Sequence, residues 1–401
     1  IIKEMDSLLP LPRIEGDHLR QVLENGIKDV FTRYGVTTIG EISETVEGLH
    51  TMESLAASNR LAAAIRPYLW APGTMSLDQA CDWRSTFKDN GTCSAFRIQG
   101  LKLFSDGGYS ARSAAVNHPY LCSCQNHTPF RGDIALSESY TREAFEKTMK
   151  VGLQMAVHAN GDRAQEWLCD VIISMGGAPG GAMRSRIEHA GNLMPDRRTS
   201  DKWAEAGIIP VPQPVFLYTF GGYFPDYLGD FGRKGRFSFA TLLKQGWHLS
   251  GSSDVWIGSE REATNPLFSV WCCLKRQTYA GEILDPEETI TIRQALRMHT
   301  IDAAAVLGEG EGLLGDGGVL FGECRRIFFG VFDLLAELGQ EGVVFLHVLP
   351  ELLVLNGRVP QSDGAEGAQF PLGQIDLHSV LIQAEEIEMH LCVIGIDGQG
   401  M

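Results

Sequence analysis

The sequence lacks the features of several protein classes. No apolar run is long enough to span a bilayer, so a transmembrane protein is not expected. Positive charge is scarce, because 34 Lys and Arg residues stand against 50 Asp and Glu residues. The net charge of -16 gives the chain no electrostatic reason to bind nucleic acid or an anionic membrane. The nine cysteines include no Cys-x-x-Cys pair, which favours small packing residues in a reducing, cytoplasmic compartment over disulfides.

Length and apolar content are sufficient for a large enzyme domain. The chain has 401 residues, of which 44% are hydrophobic and 21% are charged, so it can bury a sizeable core. This length suits one barrel with appendages or two domains. The first residue is Ile1 and not Met, so we expect the natural chain to begin further upstream.

Short apolar runs alternate with helical segments along the chain. Helices are predicted at 18–34, 52–63, 77–90, 138–151, 164–175, 196–206 and 239–246. Seven β-type runs lie at 35–42, 64–70, 97–106, 154–159, 186–190, 208–214 and 248–254. This alternation is typical of a parallel sheet.

Four metal-capable side chains lie at or just after successive β-type runs. They are Lys102 in GLKLFSDGG, His158 in VHANGDRA, His189 in RIEHA and Asp254 at the end of SGSSD. A single buried histidine is usually a core residue, but four such side chains at strand ends are hard to explain by packing. A (β/α)8 barrel places its active site at the C-terminal ends of its strands. The pattern therefore predicts one metal site to which all four contribute.

These segments resemble the amidohydrolase superfamily, specifically amidohydrolase family 3, the branch that includes N-substituted formamide deformylases. The matching motifs read KLFSDG from Lys102, HANGDR from His158, RIEH ending at His189 and SSD ending at Asp254. The resemblance covers roughly residues 1–315. It implies an α/β fold, a (β/α)8 TIM-type barrel of the metal-dependent hydrolase type, over residues 1–310. A remnant of a small β-sandwich domain is expected at 311–361, and a divergent tail of unknown structure at 362–401.

One element of that family is absent from this sequence. Members open the barrel with a strand that ends in His-x-His and supplies two ligands, but no His-x-His occurs here. The two histidines before Lys102 are His18 and His50, and both are predicted to be solvated. We therefore expect a barrel without its first strand and with an open seam between 35–42 and 248–254. The chain is then a fragment, a mis-predicted product or a degenerate member.

The resemblance also implies a role for each metal-site residue. Lys102 would be carboxylated, and its carbamate would bridge two metal ions. His158 and His189 would be metal ligands, and Asp254 would be both a ligand and the catalytic base. The alternatives are a lysine that extends to the barrel rim, two core histidines and an aspartate that caps a helix. The implied cofactor is a divalent metal, zinc in the first instance: one or two ions in a complete protein, and at most one, weakly held, in this chain.

Three further residues are candidates for substrate binding. Asp106 follows Lys102 in a turn and would orient the substrate or hold the turn. Arg163 would contact a substrate carbonyl or pair with Asp162. Gln213 lies at a strand end and is placed to reach the pocket. Glu188 is expected to be structural, because neighbouring residues on a strand face opposite ways and it cannot share the direction of His189.

The function implied is hydrolysis of a carbon–nitrogen bond other than a peptide bond. The substrate would be a small N-acyl or N-formyl amide, attacked by metal-bound hydroxide. Two alternatives stay open: a catalytically impaired member of the same family, and a hydrolase with a single metal ion at His158 and His189. No nucleic acid or membrane partner is expected, and association into a homo-oligomer is left open.

Overall fold

We describe the protein from a computed structural model. It describes residues 14–86, 95–121, 129–177, 184–194, 196–255 and 262–309. The predicted β-sandwich remnant at 311–361 and the tail at 362–401 lie outside these residues.

A single parallel sheet carries the site. Its six strands are β1 (Thr38–Ser43), β2 (Ala64–Trp70), β3 (Gly100–Phe104), β4 (Gln154–His158), β5 (Arg186–Glu188) and β6 (Ile209–Val211). They pair in sequence order, each parallel to the next. Because successive parallel strands require a crossover, the helices lie between them in the chain. The result is a curled half-barrel, which confirms the predicted TIM-type architecture.

The helices follow the predicted alternation. They are α1 (Gly16–Gly26), α2 (Val46–Ala57), α3 (Leu77–Thr86), α4 (Glu138–Val151), α5 (Asp162–Ser174), α6 (Arg197–Ala206), α7 (Val215–Thr219), α8 (Phe224–Leu228), α9 (Phe239–Lys244), α10 (Pro266–Lys275), α11 (Ile292–Met298) and α12 (Ile301–Val306). Within the described ranges, no helix is long and apolar enough to cross a lipid bilayer.

Helix α2 differs from the prediction of 52–63. It begins at Val46, because the Thr45 hydroxyl accepts a hydrogen bond from the Gly48 amide at 3.0 Å and caps the first turn. It ends at Ala57, and Asn59 then takes a left-handed conformation with φ +55°. The apolar pattern at 58–63 belongs to the approach to β2 and not to the helix.

The predicted seventh strand at 248–254 is wrong as a regular strand. Its Ser250 and Ser252 amides donate to the carbonyls of Pro210 and Pro212 at 3.5 and 3.0 Å, so the segment does run beside β6. A parallel ladder also needs backbone N–H groups that donate in the opposite direction, from the end of β6 to the 250–254 segment. Pro212 and Pro214 have no backbone N–H, so hydrogen bonds form in one direction only and no regular ladder results.

A cavity of about 170 Å³ separates β1 from the 250–253 segment. Thr38 and Gly40 line one side, and Ser250 and Ser252 line the other. Val306 of α12 clusters with Ile209 and Val211 and covers part of the gap with apolar side chains. The cavity lies at the position where the sequence predicts a seam.

Candidate metal centre

The two predicted histidine ligands face each other across neighbouring strand ends. His158 is the last residue of β4, and His189 directly follows β5. His158 Nδ1 lies 3.1 Å from His189 Nε2. The His189 backbone adopts φ +74° and its amide donates to the Val211 carbonyl at 3.0 Å, which turns the side chain toward β4.

The neighbours of His158 determine which ring nitrogen carries its proton. His158 Nε2 lies 3.1 Å from the Gly107 carbonyl oxygen and 3.5 Å from Asp106 Oδ1. A carbonyl oxygen only accepts, and the Asn160 amide nitrogen, 3.4 Å from Nε2, donates to that same carbonyl at 3.2 Å, so we assign Nε2 as the N–H donor. The lone pair is therefore on Nδ1, the nitrogen that faces His189.

Gln213 determines the tautomer of His189. Gln213 Nε2 donates to the Val211 carbonyl at 2.9 Å, which fixes the amide so that Oε1 faces His189 Nδ1 at 2.7 Å. His189 Nδ1 is therefore the donor, and its lone pair is on Nε2. Burial lowers the pKa of His189, so the ring is neutral near pH 7.

This arrangement fits a zinc ion. Two lone pairs at 3.1 Å repel each other unless a proton or a cation lies between them. Two imidazole nitrogens at 2.0–2.1 Å from a tetrahedral zinc are about 3.3 Å apart, close to the separation of His158 Nδ1 and His189 Nε2. The donor pair can thus accept a metal with only a small displacement.

Lys102 is buried inside the half-barrel and does not extend to the rim. It is 2% exposed on β3, and its Nζ lies 4.8 Å from the centre of the Phe104 ring. Burial lowers the pKa of Lys102 from 10.5 to about 8, although the negative charges of Glu188 and Asp254 oppose the shift. About a tenth of the amine is then neutral at pH 7. A neutral amine is the form that can take up carbon dioxide.

Asp254 lies at the edge of the site. Its Oδ2 is 4.0 Å from His189 Nε2, and its side chain is 43% exposed. Its backbone is left-handed, with φ +46°. In the part of the chain that the structure describes, no three His, Cys, Asp or Glu side chains form a metal-binding group. The centre therefore consists of two converging imidazoles, with Lys102 and Asp254 nearby.

Asp106 holds the loops around the site. Its Oδ2 accepts from the amides of Ala115 and Gly161 at 2.8 and 2.9 Å, and its Oδ1 accepts from the Asn160 amide at 2.9 Å. Three backbone donors occupy a fully buried carboxylate, which favours the turn-holding alternative over substrate contact.

We expect Asp106→Ala to lower the free energy of unfolding by about 4 kcal/mol, because it leaves buried amides without acceptors, at about 1–3 kcal/mol each. Urea denaturation monitored by circular dichroism measures this. Asp133→Ala, which removes an exposed aspartate, is the control and should change stability by less than about 0.5 kcal/mol. An equally small effect at Asp106 would favour the substrate role.

Arg163 and Gln213 have identified partners within the protein. The Arg163 guanidinium donates to the carbonyls of Arg131 and Gly132 at 3.2 and 2.6 Å, so it braces the preceding loop. Gln213 is 1% exposed and contacts His189. Their predicted contacts with substrate remain predictions, and Gln213 has an additional role at the histidine.

Glu188 is structural, in agreement with the prediction. It pairs with Arg186, two residues earlier on the same face of β5, at 2.6 Å. Burial opposes ionisation of Glu188, but the Arg186 charge offsets it and holds the pKa of Glu188 below its ordinary value. Arg186 also stacks on the Tyr68 ring at 4.1 Å, and all three side chains are buried.

The sequence did not identify all the residues around the histidines. Asn192 and Ser252 contact Gln213, and the Gly107 carbonyl accepts from His158. Phe216 stacks beside His189, with ring centres 6.1 Å apart and planes 12° apart. The sequence offered three weak signals: Gln213 at a strand end, Gly107 in the turn after Lys102, and Phe216 as an aromatic residue that could line a pocket.

Comparison with known proteins gives consistent results. The sequence profile of the amidohydrolase family matches residues 4–319. The chain is 26% identical over 211 residues to the N-substituted formamide deformylase of Arthrobacter pascens, covering 52% of this chain and 37% of that protein. It is 25% identical over 310 residues to the putative amidohydrolase YtcJ of Bacillus subtilis, covering 76% of this chain and 55% of the relative. The chain thus spans about half the length of these relatives or less.

A solved structure shares the fold. An uncharacterised metal-dependent hydrolase from Pyrococcus furiosus superposes with a TM-score of 0.60 at 22% identity. The alignment covers 76% of this chain and 58% of that structure. At this identity the likeness shows the barrel-type fold.

Proposed function

Because the chain belongs to the amidohydrolase family, we propose that it hydrolyses the carbon–nitrogen bond of a small amide with the help of a divalent metal ion. The observation that carries this proposal is the pair of imidazole lone pairs that face each other at 3.1 Å, on His158 and His189. The proposed substrate is an N-formyl or N-acyl amide, which is not a peptide. The name of the Arthrobacter relative supports the formyl class.

The residues around the histidines divide the remaining tasks. When bound, a zinc ion polarises the amide carbonyl and activates water. His158 and His189 would hold it through the two facing nitrogens. Lys102, whose burial favours the neutral amine, would react with carbon dioxide to give a carbamate and a released proton, and the carbamate offers two further oxygens to the metal.

We assign the proton transfer to Asp254. Its carboxylate is partly exposed and lies 4.0 Å from His189 Nε2, so it can contact both water and substrate at the barrel mouth. It would accept the proton of the attacking water and donate it to the amine as the carbon–nitrogen bond breaks.

A second candidate function has its own support. The described residues include no group of three or more His, Cys, Asp or Glu side chains able to hold a metal. This favours a catalytically impaired member of the family, in which the two histidines bind a metal without efficient turnover.

The test is hydrolysis of a panel of N-formyl and N-acyl amines by the chain of residues 1–401, with added zinc and bicarbonate. We expect slow amine release that His189→Ala eliminates and that Asp254→Asn lowers about 10²–10⁴-fold. His18→Ala removes an exposed imidazole from α1 and should have no effect. Activity that survives His189→Ala contradicts the proposed site, and no release above background supports the impaired member.

A further inference from the structure

We propose that Gln213 is a positioning residue that stops the two histidines from bonding to each other. This role rests on the proposed metal site, and it identifies the group that keeps His189 ready to bind a cation.

The orientation of the Gln213 amide is set by the backbone. Its Nε2 donates to the Val211 carbonyl at 2.9 Å and to the Ser252 hydroxyl at 2.9 Å. Because a carbonyl cannot donate, this end of the amide must be the nitrogen. The oxygen therefore points the other way, toward His189.

Asn192 supports this orientation from the opposite side. Its Oδ1 accepts from the Gln213 backbone amide at 2.9 Å, so its Nδ2 must be the end that donates to Gln213 Oε1, at 2.7 Å. Asn192 and Gln213 are 3% and 1% exposed, so water does not compete with these bonds. Two backbone groups, the Val211 carbonyl and the Gln213 amide, thus orient both side-chain amides.

The fixed orientation of the Gln213 amide determines the tautomer of His189. With only an acceptor facing Nδ1 at 2.7 Å, its proton is held on that nitrogen. Without this acceptor, the proton would move to Nε2, because the Nδ1 lone pair of His158 lies 3.1 Å away and would accept it. The two rings would then form a hydrogen bond in the space that a metal needs. Gln213 therefore preserves the metal-binding tautomer.

Gln213 also connects the two sides of the site. Its bond to Ser252 ties the irregular 250–254 segment, which ends at Asp254, to the end of β6. One amide thus positions a proposed ligand and the segment that carries the proposed base.

The tautomer can be measured without metal or substrate. Long-range ¹H–¹⁵N correlation spectra of the ¹⁵N-histidine-labelled, metal-free chain at pH 8 distinguish N–H from lone-pair nitrogens, and the His189→Ala spectrum identifies the signals. We expect His189 to be protonated on Nδ1. Gln213→Met, of similar volume, should move the proton to Nε2 and weaken zinc binding about 10–100-fold.

Two further variants separate this role from a general effect on folding. Gln213→Glu keeps an acceptor at Nδ1 and should retain the Nδ1–H tautomer. Ser252→Ala removes one of the two acceptors of Gln213 Nε2, and the Val211 carbonyl still orients the amide. This variant should therefore also retain the Nδ1–H tautomer. If Gln213→Met keeps the Nδ1–H tautomer while folded, or if Gln213→Glu loses it, the inference is wrong. If Gln213→Met does not fold, the inference stands or falls on Gln213→Glu. Because no hydrolysis is measured, an inactive chain would leave this result unaffected.

Discussion

Lys102→Met is expected to raise the free energy of unfolding by about 3 kcal/mol at pH 7. The pKa of Lys102 falls from 10.5 to about 8 on burial, and each pKa unit corresponds to about 1.4 kcal/mol. At pH 7 the folded protein must hold a charged amine out of water. Methionine fills similar space without a charge, so the variant does not carry this cost.

The effect should depend on pH in a defined direction. Between pH 8 and 10.5 the unfolded chain binds more protons at Lys102 than the folded chain, so stability of the unaltered protein rises with pH. The difference in the free energy of unfolding between Lys102→Met and the unaltered protein should therefore become smaller above pH 8 and vanish near pH 10.5. Urea denaturation at pH 7, 8, 9 and 10 measures it.

Lys102→Arg is the matched control, because a guanidinium stays charged throughout this range. Lys102→Arg should remain less stable than the unaltered chain. Its difference in the free energy of unfolding from Lys102→Met should stay the same as the pH rises. A gap between Lys102→Met and the unaltered chain that does not change from pH 7 to 10 would mean that Lys102 is not buried as a cation.

The chain of residues 1–401 is expected to bind at most one zinc ion, and weakly. Four-ligand zinc sites bind with about 10–16 kcal/mol, and affinity depends on ligand number. With only two imidazole ligands we expect roughly half of that binding free energy, which corresponds to a Kd on the order of ten micromolar. Metal analysis after dialysis and competition with a chromogenic chelator measure stoichiometry and affinity.

Lys102→Arg tests the carbamate within the same experiment. An arginine cannot form a carbamate, so any contribution of bicarbonate to zinc affinity should vanish in this variant. His189→Ala should abolish the remaining binding. Two tightly bound ions per chain together with robust amide turnover would refute the expectation, and would mean that other residues supply the missing ligands.

The seam gives this prediction a second readout. Among the described residues, β1 is an edge strand of the sheet, and an edge strand can pair with another chain. We therefore expect concentration-dependent self-association, which analytical ultracentrifugation measures. A strictly monomeric chain at high concentration would argue that the edge is covered.

Much of the fold could be predicted from the sequence. The alternation of apolar runs and helices identified six parallel strands, because strand and helix periodicities are local properties of the chain. The prediction of a seventh strand at 248–254 is wrong. The composition of this segment suits a strand, but strand formation also depends on the neighbour, and Pro212 and Pro214 cannot complete the ladder.

The sequence by itself determined which side chains would be candidates at the site. His158 ends β4, His189 directly follows β5, and Lys102 lies within β3, two residues before its end. Parallel strands bring their C-terminal ends to one edge. Only the tertiary structure decided how they are held. The partners that set the tautomers, Gly107 for His158 and Gln213 for His189, lie 51 and 24 residues away in the sequence. Such contacts arise when loops from separate elements pack together, and no local pattern encodes them. For the same reason the sequence leaves open whether Asp106 orients the substrate or holds the turn, and the three backbone amides that its carboxylate accepts from favour the turn.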